Sequence, residues 1–259
     1  MKPIRLLTPE LLKPFRSACS AERLFGSRSL CAHTAGTAES FYLAGDIPAA
    51  LSLSGGVLTV VSPGLPPLEP ILSFILERPE IGEIDGTLAF CAALRERMGG
   101  GLESSWFMRC DTPRFPAPDP SLRISSDPPP EEIFSVLQQS HPFYREHLRF
   151  APWAEEYSRW QALGLTELYG LLWEGHWVGT GRILSQDDAA GAIGAVAVIP
   201  SARSRGFGRQ ISAFLTRRVL ELGKTPVLIS GYDEVAALYR SIGYTEQGRW
   251  GELYLNRCR

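Results

Sequence analysis

The chain is poor in the residues that build disulfide and metal frameworks. Its 259 residues hold five cysteines (Cys19, Cys31, Cys91, Cys110 and Cys258), scattered, odd in number and without C-x-x-C spacing. Neither a disulfide framework nor a zinc site is expected from them. The four histidines, His33, His141, His147 and His176, are dispersed, and none has a Cys or carboxylate at ligand spacing. Each reads as a structural or surface residue, and no metal is expected. No stretch approaches a membrane span, and the N-terminal MKPIRLLTPELLKPFRSACS lacks the continuous apolar core of a signal peptide. A soluble cytoplasmic protein without a membrane partner is the expectation. The formal net charge of −2 gives no general attraction to nucleic acid. Acidic residues are also missing locally. None occurs between Asp188 and Glu221, where Arg203, Arg205, Arg209, Arg217 and Arg218 all fall. A local positive field suits an anionic ligand, with Arg217 and Arg218 read as a solvated helix face.

That acid-free stretch carries the strongest signal in the chain. The apolar run Ala195-Val196-Ala197-Val198-Ile199 is stopped by Pro200, then Ser201-Ala202-Arg203-Ser204-Arg205-Gly206-Phe207-Gly208-Arg209 leads into an amphipathic segment. This is a strand, a loop of free backbone N–H groups and a helix N-terminus, where the macrodipole places partial positive charge. Gly206 and Gly208 let a ligand approach the backbone without a Cβ in the way. Such a site holds a phosphate or pyrophosphate. It is not a Walker A loop, because no Lys-Ser/Thr follows a second glycine. It is not the dinucleotide fingerprint either, because Ile211 stands where a third glycine would be needed.

The hexamer R-x-x-G-x-G from Arg203 to Gly208, set after V-x-V-x-P, resembles the acetyl-CoA signature of the GNAT superfamily of acyltransferases. The resemblance implies that Val196, Ala197, Val198, Arg203, Ser204, Arg205, Gly206, Phe207, Gly208 and Arg209 form the cofactor-binding stretch, with acetyl-CoA as co-substrate. It implies that the Val196–Val198 strand is splayed from its neighbour to pair with the pantetheine arm. Further on, Leu238-Tyr239-Arg240-Ser241-Ile242-Gly243-Tyr244 resembles the family's second motif, L-Y-x-x-x-G-[FY]. Tyr239 then takes the role of the acid that protonates the leaving thiolate. Thiolate and tyrosine have ordinary pKa values near 8.5 and 10, so transfer between them is feasible in a dry site. Tyr232 stands where the family often has Asn.

At 44% hydrophobic and 21% charged, the chain is long enough for one large or two small domains. The Pro- and Ser-rich stretch 111–130 reads as a linker, with LRIS a first strand of the second domain. Helices are expected at Glu131–Gln139 and Phe150–Leu163, the latter with Trp153, Tyr157 and Trp160 on one face. A hairpin is expected from Leu168–Trp173 and Trp177–Leu184 around Glu174-Gly175-His176. Ile211, Phe214, Leu215, Val219 and Leu222 mark a helix stopped at Gly223, and TPVLIS a strand after it. The Ala192–Val198 strand precedes that helix, and a last strand lies near Glu252–Asn256. The fold class is α/β (α+β), a mixed, mostly antiparallel sheet flanked by helices, with two tandem GNAT-like domains at 1–115 and 116–259.

The duplication rests on parallel patterns. Phe41–Asp46 and Ala49–Val61 repeat the hairpin of Leu168–Leu184. Ile84-Asp85-Gly86 followed by Cys91–Gly99 matches Ile229-Ser230-Gly231 followed by Val235–Gly243. In this first copy, Val61-Ser62-Pro63-Gly64-Leu65-Pro66-Pro67 stands in place of the Arg/Gly loop, and its prolines remove N–H donors. Arg95 stands at the position of Tyr239. A degenerate domain without a cofactor site is expected.

The expected activity is acetyl transfer from acetyl-CoA to a primary amine of a small molecule or amino-acid-like substrate, by a monomer or homodimer. Two other readings stay open: a CoA-binding regulatory protein without turnover, and an acetyltransferase for peptides or proteins. The Ala192–Val198 strand has no ionisable side chain to act as base. The candidates nearby in sequence are Glu174, Asp187, Asp188 and Glu252.

Overall fold

Proline and glycine punctuation sets the order of elements. The computed structural model describes residues 4–45 and 48–256, so Asp46 and Cys258 lie outside the described residues. In chain order the first elements are β1 (Arg5–Leu6), α1 (Leu12–Cys19), α2 (Phe25–Thr34), β2 (Ser40–Ala44), β3 (Ala49–Ser54) and β4 (Val57–Val61). Next come α3 (Leu68–Leu76), β5 (Glu83–Thr87), α4 (Leu88–Met98) and β6 (Gly101–Cys110). They are followed by β7 (Leu122–Ser125), α5 (Pro130–Ser140), α6 (Pro142–His147), α7 (Phe150–Ala162), β8 (Glu167–Trp173) and β9 (His176–Gln186). The chain closes with β10 (Ala190–Val198), α8 (Phe207–Glu221), β11 (Thr225–Ser230), α9 (Asp233–Ile242) and β12 (Tyr244–Tyr254).

The chain divides into two compact units. Unit 1 comprises Met1–Met108, Ile229–Tyr232 and Glu246–Arg259, and unit 2 comprises Arg109–Leu228 and Asp233–Thr245. The expected division at 115/116 is therefore not the one the units follow. Most of β12 lies in unit 1, where it pairs antiparallel with β5 from Trp250↔Thr87 to Tyr254↔Glu83. The cause is apolar burial: Leu253 is fully buried in the core that holds Ile84, Phe90 and Leu94. Trp250 stacks on Phe25 at a centroid distance of 4.1 Å.

Each unit repeats one strand order. In unit 1, β1, β2, β3 and β4 pair antiparallel in sequence, and β4 pairs parallel with β5. In unit 2, β7, β8, β9 and β10 pair antiparallel in sequence, and β10 pairs parallel with β11. The parallel step is crossed by α3 in the first unit and by α8 in the second, and α4 and α9 follow it. The segment Ala49–Val61 is itself a hairpin, β3 and β4, turned at Gly55-Gly56, where both residues have positive φ.

In unit 1 the stretch equivalent to the 199–206 loop follows β4. Residues 62–67 lead into α3 with Pro67 at its N-cap. On β5, a Cβ built at Gly86 would meet the Phe90 ring at 2.9 Å and the β4 carbonyl of Val60 at 3.5 Å. The space between the two strands there is bordered by an aromatic ring that is fully buried. Arg95 is exposed and does not occupy the inward position of α4. That position belongs to Leu94, which is fully buried three residues after buried Cys91, as Tyr239 is buried three residues after Ala236.

In unit 2, Ile211, Leu215 and Val219 of α8 are fully buried. Each such side chain contributes about 1.5–3 kcal/mol on burial. The helix ends as its sequence predicts. Gly223 has φ +73° and donates to Leu220 O at 2.9 Å, while Lys224 N donates to Val219 O at 3.1 Å. Arg218 is not merely solvated: it makes two hydrogen bonds to Glu167, at 2.9 and 3.0 Å. Tyr157 and Trp160 of α7 are buried as expected. The last strand is longer than expected, and α6 is an element the sequence does not announce.

Candidate active site

The site forms where β10 ends and α8 begins. β10 is irregular in its second half. Its register against β9 shifts between Ala192 and Ile193 and again between Gly194 and Ala197, and Ala195 has φ +49°. A bulge with a left-handed residue bends a strand and re-aims the residues after it. On its other edge β10 pairs with β11 only from Ala190↔Thr225 to Ala192↔Val227. The two strands thus part before Val196, Ala197 and Val198, as the resemblance implied. Ile199 N donates to Val178 O at 2.9 Å. Successive amides on a strand point to opposite sides, so the Val198 amide faces the side that β11 has left.

The loop after this strand is made of unusual backbone. Ser204 has φ +62° and Gly206 has φ +83° as N-cap of α8. No side chain caps this helix. Arg203 N bonds to Pro200 O and Gln210 N to Gly206 O, while the amides of residues 204–209 donate to no described residue. Six consecutive free donors at a helix N-terminus form an anion cradle. A Cβ built at Gly206 would meet nothing within 4 Å, so the cradle is open. At Gly208 a Cβ would touch Leu238 of α9 at 3.6 Å.

The side chains divide the labour. Phe207 is buried with Leu171, Val178 and Ala202, anchoring the first turn of α8 from below. Arg205 lies over the Trp173 ring at 4.6 Å, and Arg209 reaches Ser241 O at 3.4 Å. Arg203 turns away from the cradle. Its Nε donates to Val198 O at 3.1 Å and its Nη2 to Ser140 O. Among the ten residues expected to bind cofactor, Arg203 spends its side-chain donors on carbonyls.

Tyr239 sits on α9 in the same unit, 6% exposed, its ring edge-on to Tyr244 at 5.6 Å. Burial pushes its pKa up to about 12, opposed by Ser212 beside it. Ser212 Oγ is itself buried and makes no hydrogen bond of standard geometry. Tyr144 of α6 also faces Tyr239 electrostatically, and a charge on it would raise Tyr239 further. Sequence reasoning missed Tyr144, because PFYREH carries no cap signature beyond its proline. Of the candidate bases, Asp187 and Asp188 precede the start of β10, the end away from Val198. Glu174 is exposed at the β8–β9 turn with φ +50°. Asp187 accepts from Ala189 N and Ala190 N at 2.7 and 2.8 Å, holding the turn before β10. Eight strand steps, roughly 26 Å, separate that turn from Val198, which removes Asp188 as well. Glu252 belongs to unit 1. Among the described residues no group of three or more His, Cys, Asp or Glu could hold a metal, and no helix is long and apolar enough to cross a membrane.

Residues 176–254 match the family model described as FR47-like protein. No curated protein gives a significant match. Among solved structures, a GNAT-family acetyltransferase from Colwellia psychrerythraea is 13% identical with TM-score 0.65, covering 98% of this chain and 100% of its own. A GCN5-related N-acetyltransferase-like protein from Streptococcus suis is 16% identical with TM-score 0.59, covering 94% and 99%. A tandem GNAT protein from the clavulanic acid biosynthesis pathway is 13% identical with TM-score 0.66, covering 96% of both chains. The chain thus has the fold of the GNAT acetyltransferases over almost its whole length, with an FR47-like segment at residues 176–254.

Proposed function

We propose that this chain is a CoA-dependent acyltransferase that moves an acetyl group from acetyl-CoA to a primary amine of a small molecule or amino-acid-like substrate by direct transfer. The observation that carries the reading is the run of free amides at residues 204–209, set directly after a strand whose Val198 amide faces an unpaired side. The site fits the cofactor: a left-handed Gly206 leaves the cradle open where a pyrophosphate would lie. Acetyl-CoA supplies an acyl group already activated as a thioester.

The chain's own residues supply the rest. The amides of residues 204–209 and the Arg205 guanidinium hold the diphosphate. The Val196–Val198 main chain orients the pantetheine arm, and the Val198 amide donates to the carbonyl oxygen as it becomes an oxyanion. Tyr239 keeps its proton across the physiological range and donates a hydrogen bond to the departing sulfur. Full transfer to a thiolate of pKa near 8.5 is uphill by about 5 kcal/mol from a phenol at about 12. The hydroxyl therefore acts mainly as a donor that disperses the developing charge. With no carboxylate on the Val196–Val198 strand, the amine enters as its free base, and the proton it sheds as the C–N bond forms and the C–S bond breaks goes to the departing sulfur. The plot of kcat/KM against pH then rises with the pKa of the acceptor amine.

Calorimetry with acetyl-CoA, followed by thiol release with a panel of primary amines, tests the proposal. Binding with turnover supports it; no binding refutes the reading of the loop. Binding without turnover on any amine supports a CoA-binding regulator, the reading favoured by the missing strand carboxylate.

A further inference from the structure

We propose that Arg203 is a positioning residue of the acyl-transfer site, which fastens the α5–α6 corner, and Tyr144 with it, to the Val198 end of β10 and does not bind the cofactor's phosphates. The inference rests on the proposed reading of the 204–209 loop.

The geometry separates Arg203 from its neighbours in the motif. Its own amide is bonded to Pro200 O, so it stands outside the run of free donors that begins at Ser204. Its guanidinium points back along the strand. Nε holds the carbonyl of Val198, the residue whose amide faces the open side, and Nη2 holds the carbonyl of Ser140, the last residue of α5. A planar fork with donors on two nitrogens spans two acceptors at once, which a lysine ammonium on a flexible stem does poorly.

What Arg203 fastens cannot hold itself. α6 has six residues, too few for stability from its own hydrogen bonds. Phe143 within it is 54% exposed, so apolar burial does little to fix it. The corner depends on side-chain bonds. His141 Nδ1 accepts from Phe143 N at 3.1 Å, Gln138 Nε2 donates to Tyr144 O at 2.9 Å, and Arg203 holds Ser140 O. Tyr144 sits half-buried on this corner, in the same unit as Tyr239. One guanidinium thus bonds the Val198–Ile199 peptide, the unit adjoining the Val198 amide, on one side and the α5–α6 corner on the other.

The test uses the full chain with Arg203→Ala and Arg203→Lys. Three quantities are read: acetyl-CoA affinity by calorimetry, kcat and KM with an amine the wild type accepts, and hydrogen exchange over residues 138–148. For Arg203→Ala, acetyl-CoA Kd and KM should stay within about threefold of wild type while kcat falls on the order of 10–100-fold, as misplacement of a reacting centre does. Exchange at residues 141–148 should accelerate, and Arg203→Lys should recover only part of kcat. An acetyl-CoA Kd raised tenfold or more with kcat unchanged would overturn the proposal. If Arg203→Ala fails to fold, Gln138→Ala loosens the same corner without touching the loop. It should give the same loss of kcat and faster exchange at constant Kd, and unchanged kcat and exchange would count against the inference. A wild type that does not bind acetyl-CoA refutes the proposed function, whereas a wild type that binds beside an Arg203→Ala that does not refutes only this inference. The exchange readout needs no turnover.

Discussion

The Arg205 guanidinium lies over the indole of Trp173, 4.6 Å from the ring centroid, with no carboxylate partner among the described residues. A cation parked on an aromatic face is held loosely, by about 0.5–1 kcal/mol at an exposed site. A phosphate offers it a charge-assisted hydrogen bond of about 1.5–3 kcal/mol. Arg205→Ala should weaken acetyl-CoA binding about tenfold and flatten its dependence on salt. The indole reports the same event: tryptophan fluorescence should change on titration with acetyl-CoA in the wild type and much less in Trp173→Phe. An Arg205→Ala variant with wild-type affinity at low salt would remove the guanidinium from the phosphate site.

Gly206 separates backbone strain from anion exclusion. At φ +83° any side chain is strained, at a cost of order 1–3 kcal/mol, yet a Cβ there touches nothing. Gly206→Ala should therefore lower the unfolding midpoint modestly and reduce affinity a little. Gly206→Asp adds a negative charge to the cradle and should abolish measurable acetyl-CoA binding, with a circular dichroism spectrum like that of Gly206→Ala. Equal affinities for the two variants would mean that no anion sits there.

Tyr239→Phe should lower kcat on the order of 10²-fold and leave acetyl-CoA affinity within about twofold, because the hydroxyl is needed only as the sulfur departs. Since burial holds its pKa at about 12, the wild-type kcat profile should show no loss from Tyr239 ionisation below about pH 11. A descending limb near pH 9–10 that disappears in Tyr239→Phe would contradict this placement.

Asp85 makes unit 1 sensitive to pH. Burial, then Glu83, then Glu252 across the strand pair raise its pKa to about 8, against a smaller opposing effect of Arg28. The folded state then binds a proton that the unfolded chain releases above pH 4. Stability from this group is fully present below pH 4 and is lost as pH rises towards 8. Asp85→Asn should raise the unfolding midpoint at pH 8, leave it nearly unchanged at pH 4, and flatten the slope between. Thermal scans across that range check the sign.

The open loop at residues 204–209 is legible because its features are backbone features, fixed by Pro200, Gly206 and the arginines within ten residues. The helix end at Gly223 was legible for the same reason. The partners of Arg203 were not, because Ser140 lies 63 residues away and a backbone carbonyl leaves no mark on composition. Aligning Gly99 with Gly243 puts Arg95 at the Tyr239 position, but the face a helix buries is set by packing, and Leu94 is the residue buried there. The exchange of β12 into unit 1 was hidden because a strand's sequence states its alternation and not its partner.

The placement of β12 has a consequence for how the chain is made. β5 leaves the ribosome early, and the strand that covers its edge emerges only after all of unit 2. Until then Glu83–Thr87 presents an open row of amides and carbonyls to every other nascent chain. Glu83 and Asp85, whose carboxylates burial disfavours in the finished sheet, are at that stage solvated carboxylates on a bare edge. Negative charge on a bare edge opposes its pairing with the same edge of an identical half-made chain.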